Sequence, residues 1–371
     1  MKMEDNKRVL ILVNHDIVIY NFRRELVERL LSEGYEVHIS SPPGPHTEEL
    51  EKMGAVFHET RINRHGMNPL EELKLYKVYK CMLDEIQPFV VLTYTIKCNI
   101  YGGLAAEKKD IPFCANITGL GSSINNGGLK EILFRNLYRR GLKNAECVFF
   151  QNEANKNYML ANKIVHSPYT VLPGSGVNLK NFAYEEYPKG SDKPILTYVG
   201  RIMKDKGMDE LLDAARIVKE NNPQVEFRLI GFFDDEYEGR IKAAEECGII
   251  KHIPQQIDIH PWLKETHAVI MPSHHEGMSN VILEAASTGR PVLASDIPGC
   301  KEAVEDGVNG MLFPPRDGQK MADVIQNFLL LPYEKKVSMG RAGREKMEQE
   351  FNREIVVNNY IREIKKLEDK Q

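Results

Sequence analysis

Short apolar runs alternate along this chain with longer stretches whose apolar positions recur every three or four residues. Residues 9–13 form the first run, and Phe22, Leu26, Val27, Leu30 and Leu31 follow as a stripe at helical spacing that stops at Gly34. The same strand-then-helix pattern continues through strands at 36–40, 89–93, 112–117 and 147–150, with helices over 70–86, 99–108 and 129–142. Regular alternation of this kind predicts a parallel, doubly wound sheet. Residues 173–194 carry three prolines and three glycines with no sustained period, and read as a linker. The pattern then restarts, with strands at 195–199, 227–230, 268–271 and 291–294 and helices over 208–220, 236–247 and 281–288. From residue 352 onward Ile355, Val356, Tyr360, Ile364 and Leu367 make one apolar face of a charged helix that must pack on something. The expected division is an N-terminal α/β domain over 1–172, a linker over 173–194, a second α/β domain over 195–351, and a C-terminal helix over 352–371, expected to pack back on the first domain.

At 371 residues the chain suits two cores rather than one. Its 42% apolar and 27% charged residues match a globular protein. Six cysteines are scattered without a Cys-x-x-Cys pair, which gives no zinc knuckle or disulfide framework and fits a reducing, cytoplasmic compartment. No apolar stretch is long enough to span a bilayer, so membrane contact is expected to be peripheral, on the inner face. The first 172 residues carry 22 Lys/Arg against 20 Asp/Glu and the rest 27 against 33. That asymmetry is too mild to argue for nucleic acid.

The segment with most chemistry is 272–286, PSHHEGMSNVILEAA, which follows an apolar strand and opens a helix. Gly277 permits close backbone approach, and the amides of Met278, Ser279 and Asn280 would meet an anion at a helix N-terminus. Glu276 and Glu284 lie eight residues apart, on nearly one helical face. A cap and a solvated surface charge would leave the same two carboxylates, but Glu284 sits among Val281, Ile282, Leu283, Ala285 and Ala286, where a charge needs a specific partner. A second segment, VGRIMKDKG at 199–207, places Arg201 and Lys206 in a loop after the first strand of the second domain. A planar fork and a mobile point charge together could neutralise a diphosphate, although surface loops also carry such residues.

Together these two segments resemble the retaining glycosyltransferases of the GT-B fold, family four. The resemblance rests on Glu276-Gly277-Met278-Ser279-Asn280 with Glu284 after it, and on Gly200-Arg201 with Lys206-Gly207. It implies two Rossmann-like α/β domains facing each other across a cleft, with a nucleotide-diphosphate sugar, a UDP-sugar by preference, as co-substrate and no separate cofactor. By that resemblance Glu276 lies against the donor sugar, Glu284 accepts from the ribose hydroxyls, and Arg201 with Lys206 grips the diphosphate. Gly200, Gly277, Met278, Ser279 and Asn280 complete the donor site. Gly231 either admits the nucleotide or is an ordinary turn glycine.

The first domain departs from the commonest family pattern, with Asn14 to Asn21 in place of a Gly-Gly loop and Thr118 and Gly119 where many members have a histidine. Its stretches INRHGMNP, 62–69, and NITGLGSSI, 116–124, are similar to bacterial galactosyl- and N-acetylgalactosaminyltransferases acting on polyprenyl-diphosphate-linked glycans. This implies acceptor contacts at His15, Tyr20, Asn21, Arg61, Arg64, His65, Thr118 and Gly119. A solvated basic loop would also explain 61–65. Residues 129–143 combine apolar and basic positions and could lie on an anionic membrane, while an amphipathic helix packed on the sheet gives the same pattern.

No two aspartates stand two apart, so the Asp-x-Asp metal clamp of the other large transferase fold is missing and metal-independent transfer is expected. The expected activity is transfer of galactose or N-acetylgalactosamine to a lipid-linked saccharide acceptor. A nucleotide-sugar epimerase of related fold and a non-catalytic nucleotide-sugar-binding subunit are the alternatives.

Overall fold

The computed structural model describes residues 7–63, 68–119, 129–189 and 193–370. The chain divides into two compact units, 1–175 with 354–371, and 176–353.

In unit 1 the described strands are β1 (Arg8–Leu12), β2 (Glu36–Ser41), β3 (Val56–Glu59), β4 (Val90–Tyr94), β5 (Phe113–Ile117), β6 (Cys147–Phe150) and β7 (Tyr169–Val171). They form one parallel sheet in the order β3-β2-β1-β4-β5-β6-β7. The strands read as continuous apolar runs because both faces are buried. Val9, Ile11, Val90, Leu92 and Phe149 point into one core, beneath helix Arg24–Ser32. Leu10, Leu12, Val91, Ala115 and Phe150 point into the other, beneath helices Pro69–Ile86, Gly103–Lys108 and Leu129–Gly141. Helix Arg353–Glu368 closes the first face: Val356, Val357, Tyr360, Ile361, Ile364 and Leu367 are all buried in that core.

Unit 2 contains β8 (Ile195–Val199), β9 (Glu226–Ile230), β10 (Lys251–Ile253), β11 (Ala268–Met271), β12 (Val292–Ser295) and β13 (Gly310–Phe313), in the parallel order β10-β9-β8-β11-β12-β13. Helices Met208–Asn221 and Gly318–Leu330 cover one face and helix Asn280–Ser287 the other.

Two expectations are corrected. Much of the segment read as a linker over 173–194 is packed into unit 2. Val177 and Tyr187 are buried, and the fully buried Arg290 donates from Nη2 to the carbonyls of Glu185 and Glu186 at 2.8 and 2.9 Å. Prolines and glycines there shape a strap along the domain. The helix read over 99–108 is a π turn, Cys98–Gly102, followed by helix Gly103–Lys108.

Since Ile364 is 1% exposed in the sheet-facing core, Ile364→Ala should cost unit 1 about 2–5 kcal/mol. Chemical denaturation is expected to show an earlier midpoint. An unchanged midpoint would mean that the C-terminal helix contributes nothing to unit 1.

Candidate functional site

Each sheet reverses its strand order beside its first strand, and such a reversal leaves a crevice beyond the carboxyl ends of the strands. In unit 2 it lies between β8 and β11, so residues 200–207 and 272–279 flank it. These two loops carry most of the candidate donor residues.

Close backbone packing sets the path of the loop after β8. A Cβ at Gly231 would lie 1.8 Å from Gly200 O, and one at Gly207, whose φ is +72°, would lie 2.1 Å from Pro272 O. Gly231 thus has no side chain because Gly200 needs the space, whether or not a nucleotide approaches. The Tyr198 hydroxyl donates to Arg201 O at 2.6 Å, His274 N to Asp205 O at 2.9 Å, and Lys204 N to Asp235 Oδ2 at 2.9 Å. Four strands' loops therefore hold one another, since the loop after β12 joins them: a Cβ at Gly299 would meet Glu276 Cβ at 2.8 Å.

The charges within this frame are matched. Lys206 Nζ donates to Glu276 Oε1 at 2.5 Å, and the same oxygen accepts from Ser273 Oγ at 2.7 Å. Both members of that ion pair are mostly buried, at 19% and 12% exposure. Arg201 Nη1 reaches Asp234 Oδ2 at 2.6 Å with both side chains open to solvent, so this pair contributes about 0–1 kcal/mol and exchanges easily for another anion. Beyond Glu276, helix Asn280–Ser287 begins at Ser279, which makes no side-chain cap hydrogen bond. Its first-turn amides lack intrahelical acceptors and its dipole favours an anion. Gly277, Met278 and Ser279 lead into this turn, which begins at Asn280, and Ser279 N donates to Gly299 O at 3.0 Å. Asn280 Oδ1 is buried without a partner.

In unit 1 the reversal lies between β1 and β4. His15 caps helix Asp16–Phe22, its Nδ1 2.7 Å from Oδ1 of the fully buried Asp16. Asp16 also accepts from His46 N at 2.7 Å, and Tyr20 stacks on His46 with centroids 4.1 Å apart. Asn21 is exposed, and Thr118 and Gly119 directly follow β5. Arg61 follows β3 and lies 3.4 Å from Glu59. Because β3 and β5 are four strand positions apart, about 19 Å, the sheet does not gather Arg61 with Thr118 and Gly119. Arg64 and His65 lie outside the described residues.

Comparison with known proteins agrees with this fold. Residues 180–346 match the family model for group 1 glycosyl transferases, and residues 8–152 the glycosyl transferase 4-like model. The chain is a family-four glycosyltransferase of the GT-B fold. It is 26% identical over 361 residues to the N,N'-diacetylbacillosaminyl-diphospho-undecaprenol alpha-1,3-N-acetylgalactosaminyltransferase of Campylobacter jejuni, spanning 93% of this chain and 94% of that protein. It is 24% identical to the capsular polysaccharide biosynthesis glycosyltransferase CapM of Staphylococcus aureus, over 90% of each chain. The crystal structure of a Rickettsia africae glycosyltransferase superposes with a TM-score of 0.80 at 18% identity, covering 98% of this chain and 99% of that one. Anabaena HepE in complex with UDP and glucose gives 0.77 at 18%, covering 96% and 98%.

Several residues of this glycosyltransferase's candidate donor site escaped the sequence reading. Ser273 and Asp234 hold Glu276 and Arg201, and the buried His274 lies 3.1 Å, through Nε2, from Glu210 Oε1. The doubled Asp234-Asp235 after β9 was the available signal. Glu284 is half-buried, and burial pushes its carboxyl up to about 8, opposed in part by the Arg353 charge. Its folded value lies above the ordinary 4.5, so the folded state holds the proton more tightly and loses stability as pH rises between those values. Glu284→Gln should therefore stabilise the protein more at about pH 9 than at about pH 5. Thermal unfolding at the two pH values checks this, and an equal shift at both would contradict it.

Proposed function

We propose that this glycosyltransferase moves a hexose or N-acetylhexosamine, with galactose or N-acetylgalactosamine preferred, from a UDP-sugar to a saccharide carried on polyprenyl diphosphate. Transfer proceeds with retention of configuration and without a metal ion. The observation carrying the reading is the Lys206–Glu276–Ser273 cluster beside Arg201, set at the uncapped start of helix Asn280–Ser287.

The proposed chemistry follows from those groups. The bond between the sugar's anomeric carbon and the diphosphate breaks, and the acceptor hydroxyl attacks from the same face. Its proton passes to the departing phosphate, so no side-chain base is needed. Charge gathering on the diphosphate is met by Arg201, which leaves its weak surface pair with Asp234, by Lys206, and by the amides of the helix turn. Glu276, held by Lys206 and Ser273, faces the sugar, and Glu284 meets the ribose hydroxyls.

The acceptor class is supported by the Campylobacter jejuni relative, whose name describes transfer to a diphospho-undecaprenol-linked sugar and which matches along nearly the whole chain. His15, Tyr20, Asn21, Thr118 and Gly119 in unit 1 are the proposed acceptor contacts. No helix of the described residues is long and apolar enough to cross a membrane. The lipid of the acceptor would bring the enzyme to the cytoplasmic face of the cell membrane, in surface polysaccharide or glycan assembly.

Incubation with UDP-sugars, a polyprenyl-diphosphate-linked saccharide and a chelator should release UDP only when acceptor is present. Isomerised donor without acceptor, or no turnover of any donor, would overturn the reading. Arg201→Ala and Lys206→Ala should each lower kcat/KM by roughly two to three decades, as loss of a preorganised donor to an oxyanion does. Wild-type rates in either variant would remove that residue from the mechanism.

A further inference from the structure

Unit 1 contains a cavity of about 1010 Å³ on the face of the sheet away from the C-terminal helix. The space is partly open to solvent, and its volume is that of a ligand pocket, which runs to about 1,000 Å³. Helix Pro69–Ile86 forms one wall and helix Leu129–Gly141 the other, with the π turn Cys98–Gly102 and helix Gly103–Lys108 lining it between them. The lining is apolar over most of its area, with Tyr76, Ile100, Leu104, Phe134 and Leu137 prominent, and it also holds charged groups, among them the mostly buried Lys97–Glu72 pair, Nζ to Oε1 at 2.5 Å.

Its direction follows from the topology. In a parallel sheet each crossover helix starts at the carboxyl edge and runs back to the amino edge. Pro69, Ile96 and Leu133, near the starts of their segments, therefore mark the carboxyl end of the cavity, while Lys108 and Arg140 mark the far end. The lining spans about seven residues of each wall helix, or ~10 Å of axis. The carboxyl end lies on the same edge of the sheet as the residues that follow β4 and β5, where Thr118 and Gly119 stand. Of the lining residues at that end, Leu73 and Leu133 are 50% and 53% exposed, and Leu70 and Ile132 on the same two helices are 76% and 57% exposed. Four large apolar side chains exposed near the starts of the two wall helices leave hydrocarbon in water unless something apolar covers it.

Two backbone features stand at the same end. Thr95, immediately after β4, has φ +71°, a conformation that costs a β-branched residue on the order of 1–3 kcal/mol and is held by its surroundings. The π turn follows it, and such turns gather at functional sites. The turn carries Ile100 and Tyr101 into the lining and sends Asn99 the other way, its Oδ1 accepting from Thr93 Oγ1 at 2.7 Å and its Nδ2 donating to Asn116 O at 2.7 Å. The cavity is thus built onto the ends of β4 and β5 by buried polar bonds.

We propose that this cavity takes the first isoprene units of the acceptor's polyprenyl chain, entering between the leucine and isoleucine lips while the diphosphate stays at the carboxyl edge. The proposal rests on the lipid-linked acceptor reading above and adds to it the place where the lipid is held. Continuity with the proposed acceptor contacts argues for the acceptor's own hydrocarbon over an unrelated lipid. A cavity of this length holds a few isoprene units, so the remaining chain stays in the bilayer.

The test titrates the full-length protein, in detergent-free buffer, with geranyl, farnesyl and geranylgeranyl phosphates, following binding by calorimetry with inorganic phosphate as control. Affinity should rise by at least about tenfold for the first added isoprene unit, well within the area-based value for buried CH₂ groups, and flatten once the cavity is full. Leu104→Trp, which fills the space, and Leu133→Asp, at an exposed lip where folding tolerates a charge, should both abolish the dependence on chain length. Circular dichroism identifies any variant that has not folded. Affinity independent of chain length would overturn the proposal, as would length dependence that survives in both folded variants. Binding to phosphatidylcholine vesicles without binding of isoprenyl phosphates would overturn it too, assigning the lips to membrane contact alone. The two readings fail separately: transfer to a lipid-linked acceptor with a KM indifferent to chain length removes the cavity's role and keeps the transferase reading. Isoprenyl binding lost in the variants, without transfer by wild type, does the reverse.

Discussion

The contact on which the candidate site of unit 2 depends is the approach of bare backbone at Gly200, Gly207 and Gly231. With no room for a Cβ at 1.8 Å from Gly200 O or 2.1 Å from Pro272 O, the loop after β8 lies directly against the ends of β9 and β11. That contact brings a lysine seventy residues from a glutamate to 2.5 Å from it. Any side chain at Gly207 or Gly231 would push the loop away and take Arg201 and Lys206 with it. Shape precedes charge here: the ion pairs decorate a crevice that the strand order creates and the glycines keep narrow.

The matched charges have a chemical meaning. Lys206 and Arg201 are each already paired, which lowers the cost of holding two cations beside a helix N-terminus. The pairs differ in strength, since the Lys206–Glu276 bond is largely shielded from water and the Arg201–Asp234 bond is not. Under the proposed function an arriving diphosphate would compete for Arg201 first, while Lys206 would keep Glu276 in place. Glu284, with its carboxyl pushed up to about 8, stands near neutrality and can meet a hydroxyl with less desolvation than a full charge would cost.

The central strands were legible because both faces are buried and their residues are apolar throughout, as in β1 and β8. The edge strands β3, β7, β10 and β13 were not. They are three or four residues long, and β3 leaves Val56 40% exposed, so no periodicity marks them. Glu276, Arg201 and Lys206 could be picked out because their neighbours in sequence form recognisable turns. Glu210 and His274 could not, because what defines each is a partner 64 residues away, and the doubled Asp234-Asp235 was a signal whose partner, Arg201, lies 33 residues away. The strap after residue 176 was misread for a related reason: its anchors, Val177 and Tyr187, are single apolar residues among turn formers, and Arg290 lies over a hundred residues downstream.

The central claim is that unit 2 holds a nucleotide-diphosphate sugar through Arg201, Lys206 and the turn at Gly277 to Asn280. Calorimetric titration of the intact protein with a panel of UDP-sugars, in chelator and without acceptor, tests it most directly. The account predicts saturable binding of at least one UDP-sugar at a single site, weakened by rising salt. Failure of every UDP-sugar and of UDP itself to bind would contradict it.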